Sequence, residues 1–239
     1  MPDLMNLFSR MEYPGRVIIL GMSEDKAIIA LYAVTGRSPS SQARKFILSE
    51  DKIRIFVKPT DEKLIKTGQP ELLIYPAVVI KNGIIISNGK HTEDIVKASG
   101  NGGTPAVVLA EALKNWMYEP DEPSFTPRIS GYANFEEGAL SIIKKSQDIS
   151  ALRYYFSFKL IPGTGKMIAT YTGENRNPLP SFSGEPLAVD LPYKTAEKAV
   201  EALYEALGYK KKEDFRVSAA SVFYHQDKSH HTAVKNRHN

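Results

Sequence analysis

Short apolar runs joined by tight turns constrain this chain most. Arg16–Leu20 (RVIIL) and Lys26–Val34 (KAIIALYAV) flank Gly21-Met22-Ser23-Glu24-Asp25, a pattern that predicts two strands and a hairpin turn. Glu71–Ile80 (ELLIYPAVVI) and Gly83–Ser87 (GIIIS) surround Asn82-Gly83, the strongest short hairpin signal there is. Ile53–Val57, Arg128–Tyr132, Ala139–Lys144, Arg153–Leu160, Lys166–Tyr171 and Arg216–Tyr224 read as further strands.

Helices come in ones and twos between these groups. Thr104 with Pro105 opens one, in which Val108, Leu109, Ala112, Leu113 and Trp116 recur at helical spacing and Pro120 marks the stop. Thr195 opens another, with Ala199, Val200, Leu203 and Leu207 on one side and Gly208 as the stop. Thr92 caps a short helix over Thr92–Ala98. Strands and helices do not alternate as βαβ units, so the expected class is α+β with largely antiparallel sheets. Asn175–Pro192 reads as a surface loop rather than a linker, and residues 1–239 are expected to form a single domain.

Composition narrows the chemistry. The sequence has no cysteine, which removes disulfides, thiolate nucleophiles and cysteine-ligated metals. A net charge of +4 is small, and aromatics do not interleave with a basic stripe, so nucleic acid is not an expected partner. No membrane span is expected, because no apolar stretch approaches 18 residues. The opening MPDLMNLFSRMEYPGR does not read as a signal peptide, and a cytoplasmic protein is expected.

Four segments carry residues suited to chemistry. In Tyr32–Arg44, Gly36 and Ser38 with Arg37 and Arg44 could cradle a phosphate, although such a stretch alone is usually a hydrophilic loop. In Ser87–Asp94, His91 could carry a proton near neutral pH, or be a turn histidine. Tyr75 sits among apolar residues before Pro76, where a tyrosine is ordinarily a core residue with one hydrogen bond. Met117–Gly131 places Glu119, Asp121 and Glu122 after a helix, against its dipole, and ends in Thr126-Pro127-Arg128. IPGTGK, Ile161–Lys166, lacks phosphate-loop spacing and is expected to be a hairpin turn. The histidine-rich HQDKSHHTAVKNRHN is expected to be a frayed tail able to hold a stray transition metal.

Taken in order, Tyr13-x-Gly15-Arg16, Tyr32…Arg37-Ser38…Arg44, Tyr75, Ser87-Asn88-Gly89-x-His91-Thr92, Tyr118-Glu119 and Thr126-Pro127-Arg128-Ile129 resemble the archaeal-type IMP cyclohydrolase family. The resemblance covers Tyr13–Ser130 and is carried beyond that only by strand and helix pattern. It implies a four-layer αββα sandwich similar to N-terminal-nucleophile hydrolases. It implies closure of the purine ring, with a 5-formamidoimidazole-4-carboxamide ribonucleotide losing water to give IMP, and no metal or cofactor. Glu119 is then the expected general base, Tyr75 the hydroxyl acting on the formyl oxygen, and Arg37 the oxyanion or carboxamide partner. Arg16, Ser38, Arg44 and Arg128 are candidates for phosphate and ribose. Asn88, His91 and Thr92 would line the base or sugar pocket, and Thr126 would orient its neighbours. By analogy a homo-oligomer is implied. The alternatives are a related amidohydrolase or cyclohydrolase for another imidazole nucleotide, and a non-catalytic purine-nucleotide-binding protein. The segment before Tyr13, the basic tail and the added Pro120 and Pro123 depart from the motif set.

Overall fold

The computed structural model describes residues 1–61, 74–147 and 150–238. The elements begin with α1 (Leu4–Ser9), β1 (Arg16–Met22), β2 (Ile28–Thr35), α2 (Pro39–Gln42), β3 (Arg44–Leu48), β4 (Arg54–Pro59), β5 (Tyr75–Ile80) and β6 (Ile84–Ser87). They continue with α3 (Thr92–Ala98), α4 (Pro105–Leu113), β7 (Arg128–Ala133), β8 (Glu137–Lys145), β9 (Ala151–Lys159), β10 (Thr164–Ala169), β11 (Leu187–Asp190), α5 (Ala196–Gly208), β12 (Arg216–Tyr224) and β13 (His230–Asn236). Residues 71–73 of the strand expected from Glu71 lie outside the described residues.

Among the described residues the strands form two sheets, in orders β11-β10-β1-β2-β12-β13 and β3-β4-β5-β6-β7-β8-β9. Every paired strand in them is antiparallel. All residues of β1 and β2 are buried, which explains why their sequences run apolar without alternating: both faces are covered. One face meets the other sheet, where β1 touches β7 and β8 and β2 touches β6. The other meets α5, which packs on β2, β12 and β13 and itself receives α1. Helices α3 and α4 cover the second sheet along β5 to β9, over Ile85, Ile95, Leu109 and Leu113. At Gly131 a Cβ would stand 2.5 Å from Leu20 Cδ1 of the facing sheet, so a side chain there would overpack the interface.

Several expectations change. The histidine-rich tail is ordered as β13, paired with β12 from Ser218↔Asn236 to Tyr224↔His230. Asn236 fixes its end, its Oδ1 accepting from Phe46 N (2.8 Å) and Ser218 Oγ (2.7 Å). IPGTGK is a crossover from β9 of one sheet to β10 of the other, not a hairpin turn. Asn175–Pro192 contains β11 and buries Leu179, Phe182 and Val189. The segment before Tyr13 folds as α1, capped by Asp3, with Leu4, Leu7 and Phe8 buried. Helix α4 stops at Leu113, well ahead of Pro120, and Trp116 lies beyond it with Nε1 donating to Asp94. Thr92 is the first residue of α3 rather than its cap, which is His91. Gly208 is the last residue of α5, and its missing side chain makes room for Arg216, whose Cζ is 2.6 Å from where a Cβ would be.

Candidate active site

Antiparallel order decides which strand ends meet. The starts of β3, β5 and β7 fall at one end of the second sheet, as the pairings Arg44↔Pro59, Tyr75↔Val57 and Ser87↔Ser130 require. The start of β1 lies beside the end of β2, through Arg16↔Val34, and beside the end of β10, through Val17↔Ala169. Strand interiors between the sheets are apolar, so charged side chains can enter only at such an end. Arg16, Arg44 and Arg128, each the first residue of its strand, do so and are buried.

Glu119 is 3 % exposed among them. Its burial raises the carboxyl above its ordinary 4.5, opposed by the Arg16, Arg128 and Arg44 guanidiniums. Burial by itself would lower the Arg16 pKa, but Glu119, followed by the Tyr75, Tyr171 and Tyr13 hydroxyls, raises it above the ordinary value. Arg44 goes the other way, lowered by burial and by Arg16. Arg16 Nε and Arg44 Nε and Nη1 are buried and find no hydrogen-bond partner among the described residues. Buried donors, charged ones above all, are ordinarily satisfied. Three guanidiniums against Glu119 and the neighbouring Asp121 leave an excess of positive charge, which suits an anionic ligand.

Tyr75 is 1 % exposed, and its hydroxyl lies 2.9 Å from the Tyr32 hydroxyl. Burial, followed by Tyr75, pushes the Tyr32 pKa up, so Tyr32 stays a proton donor at neutral pH. Its ring stacks on Phe46 at 5.4 Å. The pair joins the sheets, since Tyr32 is on β2 and Tyr75 on β5.

The segment from Met117 to Arg128 closes on itself. Glu119 N donates to Thr126 O (2.9 Å) and Arg128 Nε to Met117 O (2.8 Å). Arg128 Nη1 is then 3.8 Å from Glu119 Oε1, and its guanidinium lies 4.8 Å from the Trp116 ring centre. Inside the turn, Asp121 Oδ1 accepts from Thr126 N (2.6 Å) and Oδ2 from Thr126 Oγ1. Phe125 adopts φ +43° and carries Lys145 Nζ 3.3 Å from its ring centre. Because α4 ends at Leu113, Glu119 does not sit on a helix C-terminus, and the expected opposition to the dipole is absent.

The family model of the IMP cyclohydrolase-like proteins matches residues 13–228, nearly the whole chain. The chain belongs to this family. The IMP cyclohydrolase of Methanothrix thermoacetophila is 30% identical over 161 residues, covering 66% of this chain and 74% of that protein. That of Methanopyrus kandleri is 33% identical over 118 residues (49% of this chain, 57% of that protein). That of Haloquadratum walsbyi is 35% identical over 120 residues (50% and 55%). The span matched to the IMP cyclohydrolase-like family contains every residue of the buried cluster, and leaves out α1 and β13.

Within this IMP cyclohydrolase-like chain the structure gathers Arg16, Arg44, Tyr75, Glu119, Thr126 and Arg128 at one end of the sheets. Arg37 and Ser38 are exposed at its margin. Arg37 lies 5.2 Å over the Tyr13 ring, and its Nη1 donates to Asn175 Oδ1 (3.1 Å) and Arg176 O (3.3 Å). Ser38 caps α2, its hydroxyl accepting from Ser41 N. Asn88 spans to the entry of β7, its Nδ2 donating to Pro127 O and its Oδ1 accepting from Ile129 N, both 2.9 Å. The Thr92 hydroxyl is held by Ser87 Oγ and Gly89 O. Tyr171 was not among the sequence candidates, and Asp121 was named in its segment without a role. Tyr171 reaches the site because β10 pairs with β1, a register that no local pattern announces.

His91 is fully buried, with Nε2 3.0 Å from Ser130 Oγ and Nδ1 unpartnered among the described residues. Burial, then the Arg128 charge, lowers its pKa from 6.5 to about 3, so the imidazole stays neutral near pH 7 and does not shuttle protons as a cation. A depressed histidine resists protonation in the folded state while the unfolded chain accepts the proton from about pH 6.5 downward. Its contribution is therefore present above pH 6.5 and lost as pH falls toward 3, at no more than about 1.4 kcal/mol per unit. In urea unfolding across that window, His91→Gln is expected to show a shallower loss than wild type; equal slopes would contradict this.

Proposed function

We propose that the chain closes the purine ring, converting a 5-formamidoimidazole-4-carboxamide ribonucleotide to IMP with release of water. One observation carries the reading: two buried guanidiniums with unfilled donors share a strand-end site with a buried carboxylate and a tyrosine pair. The excess positive charge suits a nucleotide phosphate. The carboxylate and hydroxyls suit a reaction that moves protons between two neighbouring substituents.

Ring closure joins the carboxamide nitrogen to the formyl carbon and removes the formyl oxygen as water. The amide nitrogen is a poor nucleophile, and two protons must move. One leaves the carboxamide nitrogen as the C–N bond forms, and one leaves the formamido nitrogen as the former formyl oxygen departs as water. The ring thereby becomes conjugated while the closing nitrogen keeps its other hydrogen. Glu119, whose pKa burial raises above its ordinary value, accepts the first of these protons. Tyr75, backed by Tyr32, donates to the formyl oxygen as charge develops there. The buried Arg16 guanidinium is better sited than the exposed Arg37 to stabilise that charge, and Arg37 and Ser38 act at the rim. Arg44 and Arg128 hold phosphate and ribose, Thr126 fixes the Glu119 loop, and Asn88, His91 and Thr92 shape the wall behind Arg128. Holding both groups in attack geometry supplies much of the acceleration.

The same reading places the chain in purine nucleotide synthesis, as one domain in a cytoplasmic homo-oligomer. The helix packing on the outer side of each sheet supports a four-layer αββα sandwich of the N-terminal-nucleophile-hydrolase type. No helix among the described residues is long and apolar enough to cross a membrane. Ultraviolet absorbance of IMP formed from the formylated ribonucleotide, with the unformylated compound as control, tests the activity. Turnover of a different imidazole nucleotide alone would redirect it to a related cyclohydrolase.

A further inference from the structure

We infer that Tyr171 is a positioning residue for Glu119, acting across the two sheets through Thr126 and Asp121; the assignment rests on the cyclohydrolase reading of the site. The Tyr171 hydroxyl is 2.6 Å from Thr126 Oγ1. Thr126 gives its only hydroxyl proton to Asp121 Oδ2, so Tyr171 donates and Thr126 accepts. The same Thr126 holds Glu119 through its carbonyl, which accepts from Glu119 N (2.9 Å). Both oxygens of Asp121 are thus engaged by one residue, and that residue is tied to the opposite sheet by one phenol.

Tyr171 is fitted for a fixed post. It stands two residues past the end of β10, its N donates to Pro14 O (3.2 Å), and its ring stacks on Tyr13 at 5.8 Å. Gly15 makes the approach possible: with φ +75°, a Cβ there would fall 2.6 Å from Tyr171 Cδ2 and 2.1 Å from Thr170 Oγ1. Thr170 Oγ1 in turn accepts from Arg16 N (3.1 Å). The chain of contacts therefore sets the Glu119 loop against the strand end that carries Arg16. The loop's other ties run to its own sheet, through Asn88 Nδ2 to Pro127 O, Arg128 Nε to Met117 O and Lys145 over the Phe125 ring. Burial, which raises Tyr171 to about 12, keeps the phenol a donor throughout the working range.

Tyr171→Phe keeps the ring and removes the donor. The expected result is a kcat lower by about 10-fold with KM changed less than about twofold, since misplacing a reacting group by a fraction of an ångström suffices for such a loss. Thr126→Val should lose at least as much, Thr126→Ser should recover the greater part of that loss, and Tyr171→Phe/Thr126→Val should be no slower than Thr126→Val alone, because one chain is cut twice. Trp116 is the single tryptophan and adjoins the loop at Met117, so its emission, and the change in it on adding IMP, should shift in both single variants. Wild-type kcat and unaltered emission in Tyr171→Phe would overturn the inference, as would losses that multiply in the double variant. If wild type itself formed no IMP, the cyclohydrolase reading would fall, while the emission of the variants would still decide whether Tyr171 holds the loop. Should Tyr171→Phe not fold, Thr126→Val against Thr126→Ser decides the same point.

Discussion

Replacing Glu119 by glutamine is expected to lower kcat by about 10³-fold, the middle of the range for a positioned general base. Glutamine keeps the shape and the buried volume, so the loop should stay closed through Glu119 N and Thr126 O. What disappears is the ability to accept a proton from the carboxamide nitrogen. The pH dependence separates this from misfolding. Burial raises Glu119 above 4.5, so wild-type kcat/KM should fall on an acid limb placed above that value as the base becomes protonated. Glu119→Gln should lack the limb and show a flat, low profile there. The same raised pKa makes the protonated form the one the fold prefers. Its contribution to stability is complete below about 4.5 and declines as pH rises through the folded-state value. Activity and stability should therefore respond to pH in opposite directions at this group.

The second large effect is at Arg44. Its guanidinium is buried beside Arg16, with Nε and Nη1 unpartnered among the described residues and its pKa lowered by that burial. Arg44→Met removes an unpaired buried charge while retaining an unbranched side chain. The ligand-free variant is expected to be more stable by on the order of 1 kcal/mol, which for a chain of this length raises Tm by a few degrees. Affinity for IMP should fall by about 10²-fold, as expected for losing charge-assisted hydrogen bonds to an anion. Saturating IMP at about 100 times its Kd stabilises wild type by about 2.7 kcal/mol, and the same concentration should leave the variant almost unmoved. Calorimetry with and without IMP reads both quantities. A destabilised variant with unchanged affinity would mean that Arg44 serves the fold.

Much of the fold was legible because it is written in local signals. Asn82-Gly83, the Thr104-Pro105 start and the Thr195 cap each act within a few residues, and each stands where expected. Glu119 and Arg128 were legible as the two ends of one loop for the same reason. Local composition says less about where a side chain ends up. Arg37 and Ser38 have the composition of a phosphate cradle; both are exposed, and the Ser38 hydroxyl caps α2. The histidine-rich tail is polar because β13 is an edge strand whose residues are all partly or fully exposed, so its sequence looks like a frayed end. Gly208 does end α5, and the space its missing side chain leaves is also used by Arg216. Tyr171 was out of reach altogether, since only the pairing of β10 with β1 brings it to Thr126, and sheet register over such a separation leaves no local trace.

Whether this strand-end cluster closes the purine ring with Glu119 as base is decided by mixing wild type and Glu119→Gln, in parallel, with the formylated ribonucleotide and following IMP in the ultraviolet. Repeated turnover is expected of wild type, and binding of the substrate with almost no IMP formed is expected of Glu119→Gln. Equal rates for the two proteins, or a wild type that binds IMP tightly and forms none, would contradict that role.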